Sequence, residues 1–139
     1  MTAALSSEFA NGFLVIDIDG VASTANAGQG SILNPFGCDV NIVRAFLVPK
    51  SESTGSSNLS IGITTVSASA TDILNADDMN GVTEGKAINC FAQDPGAKTE
   101  IVPALWESDK YITFTASATL VGFEGALYLE VLRDTEANA

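Results

Sequence analysis

Residues 33–50, LNPFGCDVNIVRAFLVPK, constrain this chain more than any other stretch. Asn34-Pro35 followed by Gly37 forms a stop signal, and beyond it lies the longest apolar-rich run in the sequence. Between Asp39 and Val48 one parity carries Val40, Ile42, Phe46 and Val48, and the other carries Val43, Ala45 and Leu47. Successive strand residues point to opposite faces, so a strand here would bury most of both. This predicts a central strand with material packed on each side, and leaves Arg44 as the exception to explain.

The other segments predict strands of the ordinary kind. FLVIDID (13–19) sets Phe13 and Val15 against Leu14, Ile16 and Ile18, and Asp17 and Asp19 turn the end of the first face to water. Residues 59–66 alternate Leu59, Ile61 and Ile63 with Ser60, Gly62 and Thr64. Joined to the central strand by the polar turn KSESTGSS (50–57), they read as the second arm of a hairpin. KAINCFAQ (86–93) is a modest strand before the turn Asp94-Pro95-Gly96. Residues 100–106 are demoted by Pro103 to an edge strand or extended loop. KYITFTASA (110–118) alternates cleanly, and 120–132 is apolar on both parities, with Glu124-Gly125 a candidate bulge.

Two segments predict something other than strand. GVASTANAGQGS (20–31) reads as a flexible connection, long enough to cross between sheets or to serve as a contact loop. TDILNADDM (71–79) reads as one short helix, capped by Thr71 or Asp72 and ended by Asn80-Gly81. The expected architecture is all-β: an antiparallel, jelly-roll-like β-sandwich of about seven or eight strands with one short helix. Residues 13–132 form its domain, 1–12 a flexible N-terminal arm and 133–139 a frayed C-terminal tail. The strands apolar on both faces need covering by paired sheets or by a second subunit.

Composition narrows the function. Hydrophobic residues are 46% and charged residues 17% of 139 positions, which is far from a disordered composition. Six basic against seventeen acidic residues give a net charge of −11. Phosphate neutralisation needs clustered Lys and Arg, so nucleic acid is not an expected partner, and an anionic membrane surface is disfavoured for the same reason. No run approaches the roughly 20 apolar residues of a membrane helix. The opening MTAALSSEFANGF lacks the basic and apolar regions of a secretory signal. Cys38 and Cys90 do not make a disulfide scaffold and read as two buried thiols, as suits a reducing cytoplasm.

The chain contains no histidine. That removes histidine-based nucleophilic triads and dyads and most zinc and copper sites. Asp17-Ile-Asp19-Gly20 is the nearest approach to a calcium motif, but it lacks the further oxygen ligands and closing Glu of a calcium loop. Asp77-Asp78, adjacent on the expected helix, would not converge on one point. Gly28-Gln29-Gly30 precedes no helix and is no phosphate cradle. Asn58-Leu59-Ser60 matches a glycosylation triplet by chance. No carboxylate pair stands out for glycoside hydrolysis. We therefore expect no enzyme, no cofactor and no metal. Trp106 has two readings, an aromatic that anchors an interface or stacks on a sugar, or core packing. Phe36, Trp106 and Tyr111 are the candidate interface residues.

In order, the chain shows an apolar opening strand, ILNPFGCDVNIVRAFLV, a Ser/Thr/Gly turn, LSIGIT, DILNADDM, KYITFTASA and a closing GFEGALYLEVL. This order resembles a group of small tailed-phage virion proteins, the head decoration, cement or head-fibre-like proteins. The resemblance spans about 13–132, and its most specific part is the NPFG turn leading into the central strand. It implies a non-enzymatic β-sandwich, made in the host cytoplasm and placed on the capsid exterior. Such a protein clamps neighbouring major capsid subunits, often as a homotrimer, and stabilises the shell. No functional residue is carried over, because the family has no catalytic motif. The alternative expectation is a receptor- or carbohydrate-binding sandwich of a fibre or tail, with Trp106, Tyr111 and loop 20–31 as its contact residues.

Overall fold

The structure, a computed structural model, describes residues 11–21, 29–66, 68–92 and 104–133. They form nine strands: β1 (Asn11–Asp19), β2 (Gln29–Leu33), β3 (Val40–Ser51), β4 (Asn58–Thr64), β5 (Leu74–Asp78), β6 (Ile88–Asn89), β7 (Ala104–Trp106), β8 (Tyr111–Ala116) and β9 (Glu124–Arg133). A 3-10 turn, Cys90–Ala92, follows β6. All pairings are antiparallel. One sheet runs β1-β9-β3, with β6 and β7 taking successive parts of the far side of β3; the other runs β2-β8-β4-β5.

The two sheets pack as a β-sandwich, as expected. Its core joins Ile16, Ile42, Ala45, Leu47, Leu127, Leu129 and Val131 from the first sheet to Leu59, Ile61, Ile112, Phe114 and Ala116 from the second. Each fully buried large aliphatic or aromatic side chain contributes about 1.5–3 kcal/mol from water exclusion alone. Phe91, Trp106, Leu120 and Phe123 belong to the same buried cluster.

The central strand is indeed β3, but it does not bury both faces. Ile42 pairs with Val131 and Arg44 with Glu130, so Val43 is an extra residue, a β-bulge that flips the parity of everything after it. Val40 and Ile42 face the core before the bulge; Ala45, Leu47 and Pro49 face it afterwards. One core face is thus read out of two parities, and Arg44 points to the outside. A second irregularity sets Lys50 between the pairs Pro49–Gly125 and Ser51–Glu124. The disruption expected at Glu124-Gly125 therefore falls on the partner strand. Residues 120–123 belong to a turn with Gly122 at φ 78° rather than to β9.

Other expectations change too. Residues 71–79 form no helix. Ile73 N–H donates to Ile61 C=O (3.0 Å), and β5 pairs with β4 through Asn58–Asp78 and Leu59–Asp77. Ladder bonds to a neighbouring strand outcompete weak local helix signals. β3 and β4 are not a hairpin: they lie in different sheets, and 52–57 crosses between them. Buried Ser53 and Ser57 anchor the crossing, Ser53 N–H to Met79 C=O (2.9 Å) and the Ser57 hydroxyl to Ala118 C=O. The connection 20–31 contains the start of β2, which pairs with β8. The segment read as an arm, 1–12, ends inside β1; residues 1–10 and 134–139 lie outside the described residues. Cys38 and Cys90 are not joined as a disulfide; Cys90 is buried and Cys38 half-buried.

Candidate functional site

The two sheets treat their outer faces differently. On the second, Gly62 and its partner Thr113 point away from the core yet are buried, because the chain around Ala70 lies directly over them. A Cβ on Gly62 would come within 2.3 Å of the Ala70 backbone. The middle of this face is covered by the chain itself, while Leu33, paired with Tyr111, stays 46% exposed at its edge.

The first sheet leaves its outer face open. Across β1, β9 and β3 the pairs Val15–Tyr128 and Tyr128–Phe46 form one row, with Asn89 of β6 continuing it. Phe13–Glu130–Arg44 lies on one side of that row and Asp17–Ala126–Val48 on the other. Phe13 is 75% exposed, Val15 50% and Tyr128 42%; Leu105 and Leu132 are also exposed on the first sheet's strands. Two ion pairs flank this apolar strip, Arg44 Nε to Glu130 Oε1 and Lys50 Nζ to Asp17 Oδ1, both at 3.7 Å. At such exposure each contributes about 0–1 kcal/mol, so they tune the surface more than they hold the fold.

Shallow hollows mark the face. One of about 110 Å³ lies among Phe13, Arg44, Phe46, Tyr128 and Glu130; a larger one, about 320 Å³, lies among Val43, Phe46, Asn89 and Phe91. Neither brings two carboxylates together. At the sheet's end Asp17, Asp19 and Glu124 share a third hollow with Lys50. Among the described residues no three His, Cys, Asp or Glu side chains are grouped to hold a metal ion. The chemistry on offer is contact: aromatic and aliphatic surface with a guanidinium beside it, the composition typical of protein interfaces.

The residues expected at an interface lie elsewhere. Trp106 is 0% exposed, and its indole N–H donates to Lys110 C=O at 2.9 Å, so its packing alternative holds. Phe36 meets it edge to face, with ring centroids 6.2 Å apart and planes at 83°. Tyr111, half-buried on β8, pairs with Leu33. These residues gather at one end of the sandwich, where the NPFG turn is stitched down. Most of the contact loop 20–31 lies outside the described residues. Sequence reasoning did not single out Phe13, Phe46 and Tyr128 as a surface. The available signal was that Phe13 and Val15 share their parity with Asp17 and Asp19, which face water.

No helix among the described residues is long and apolar enough to cross a membrane. Compared with protein-family models, with curated proteins and with solved structures, the chain matches none.

Proposed function

We propose that this chain is a structural, non-enzymatic virion protein that decorates the outside of a tailed-phage capsid. In this reading it binds the major capsid protein, stabilises the shell, and acts as a homo-oligomer, in the resembled family often a trimer. The observation that carries the contact role is the open outer face of the first sheet, with Phe13, Val15 and Tyr128 exposed beside Phe46 and Val48. A contiguous apolar strip of this kind marks a surface used against another protein. The virion setting comes from the resemblance in strand order and in the NPFG turn. The carbohydrate-binding alternative has lost its leading residue, since Trp106 is buried.

Co-sedimentation with undecorated capsids of the corresponding phage, with light scattering of the free protein, tests the reading. The wild type is expected to self-associate, to pellet with capsids and to raise their resistance to heat. Tyr128→Lys and Phe46→Lys are expected to stay folded and remain in the supernatant. A lasting monomer that ignores capsids overturns the reading.

A further inference from the structure

Every sheet has two edges, and natural β-proteins normally blunt them by shortness, bulges, proline or charge. Three kinds of blunting appear here. β6 and β7 are only two and three residues long. β2 has a register shift between Gln29 and Ile32. β5 carries left-handed Ala76 (φ 49°), a register shift opposite it and two aspartates. β1 has none of these along its first six residues. It is nine residues long, pairs with β9 without a break in register, and has no described neighbour on its other side.

The direction of its backbone groups follows from one bond. Gly20 N–H donates to Phe123 C=O at 3.0 Å, one step beyond the Asp19–Glu124 pair. Narrow and wide pairs alternate in an antiparallel ladder, so Ile18, Ile16, Leu14 and Gly12 also point their N–H and C=O groups at β9. Asn11, Phe13, Val15, Asp17 and Asp19 therefore turn theirs outward, along the open edge. The same residues include Phe13 and Val15, whose side chains are the most exposed apolar ones on the face.

We infer that this edge is an interface with a second copy of the chain, formed by antiparallel β1–β1 pairing about a two-fold axis at Val15. It makes the self-association in the reading above a two-fold dimer in place of the resembled family's trimer, and rests on that reading only in naming a second copy as the occupant. The register follows from charge and from how many outward residues can pair. Centred on Val15, each Asp17 stands opposite the partner's Phe13 and each Asp19 opposite the partner's Asn11, so no carboxylate faces another. Moving the centre to Asp17 would set two carboxylates directly opposite, a destabilising cross-strand pair. Moving it to Phe13 would leave the Asp17 and Asp19 backbones without partners in the described strand. With Val15 at the centre, all five outward residues pair, and each pair exchanges two hydrogen bonds. The symmetry makes the contact self-complementary, and the two outer faces join into one surface with both copies of Phe13 and Val15 near its middle.

Analytical ultracentrifugation and amide exchange on the full chain test this. Val15→Pro deletes an outward N–H and leaves the ladder to β9 intact; proline is tolerated on edge strands in that orientation, and Leu14 already has the extended backbone it requires. We expect a wild-type dimer with slowed exchange at Phe13, Val15 and Asp17. Val15→Pro should weaken association at least tenfold with an unchanged circular dichroism spectrum, and Val15→Thr, which keeps the N–H, should retain the dimer. If Val15→Pro fails to fold, Val15→Lys, which sets like charges together at the two-fold, replaces it. A monomeric wild type, a trimer that Val15→Pro leaves trimeric, or fast exchange at those three amides overturns the pairing. A dimer that ignores capsids supports the pairing and sinks the capsid reading; a monomer that coats capsids does the reverse.

Discussion

Asn34 Nδ2 donates to the backbone carbonyl of Trp106 at 2.9 Å, across 72 residues of sequence. The same amide nitrogen donates to Cys38 C=O (3.0 Å), Oδ1 accepts from Phe36 N–H (2.7 Å), and the Asn34 N–H reaches Lys110 C=O (3.1 Å). One buried side chain thus closes the NPFG turn and ties it to the strand that carries Trp106.

Asn34→Ala is expected to strand three polar groups, at about 1–3 kcal/mol for each buried one and with non-additive sums, so roughly 3 kcal/mol in total. Asn34→Asp should be worse at neutral pH, because it keeps the acceptor for Phe36 but sets a carboxylate against two carbonyl oxygens. Part of that loss should return on acidification. Urea melts followed by the fluorescence of Trp106, the single tryptophan, measure both; an Asn34→Asp protein as stable as wild type at pH 7 contradicts the arrangement.

Gly62→Ala should destabilise by about 1–3 kcal/mol or more, as overpacking does, because the new methyl meets the backbone of Ala70 rather than a movable side-chain end. Gly55→Ala is the control: nothing lies within 4 Å of its added Cβ, and its effect should stay within about 0.5 kcal/mol. Equal melting temperatures for the two variants would contradict the close cover over the second sheet.

Thr113 is fully buried, and its hydroxyl has no hydrogen-bond partner among the described residues. Thr113→Val keeps the shape and removes a stranded polar group, so it should stabilise by up to about 1 kcal/mol. Denaturant titration decides the sign, and a loss above 1 kcal/mol would mean the hydroxyl is bonded.

Asp78 is held below the ordinary carboxylate range, first by the N–H of Asn80, then by the Ser56 hydroxyl and, against a desolvation that raises it, by the N–H of Ser57. A carboxyl whose folded value is depressed adds stability above its unfolded value, near 4, and loses it as pH falls through the folded value. Asp78→Ala should therefore differ from wild type in melting temperature at pH 6, with the gap closing on acidification below pH 4. Carboxyl NMR of the wild type should place the Asp78 midpoint under that of an unstructured aspartate.

How much of this was legible beforehand differs by element. The alternation of Phe13 to Asp19 and of Tyr111 to Ala116 named their inner faces directly, because a two-residue period reports burial on one side. In β3 the same reasoning misread one bulged strand as a strand buried twice. An inserted residue such as Val43 leaves no local mark, and only pairing with β9 reveals it. The 71–79 segment failed for a related reason: its short-range helix signals were real but weaker than the ladder β4 offers.

What the sequence determined by itself was the class of the molecule. Its β-branched and small residues, turn signals and lack of histidine required a sandwich without histidine-based chemistry, since those properties act through each residue's own backbone preference and side-chain chemistry. The tertiary structure alone decided which sheet has the middle of its outer face covered by its own chain, which leaves Phe13, Val15 and Tyr128 open, and which strand ends the sheet. Those depend on contacts between segments distant along the chain, and local pattern carries no record of its neighbours in space.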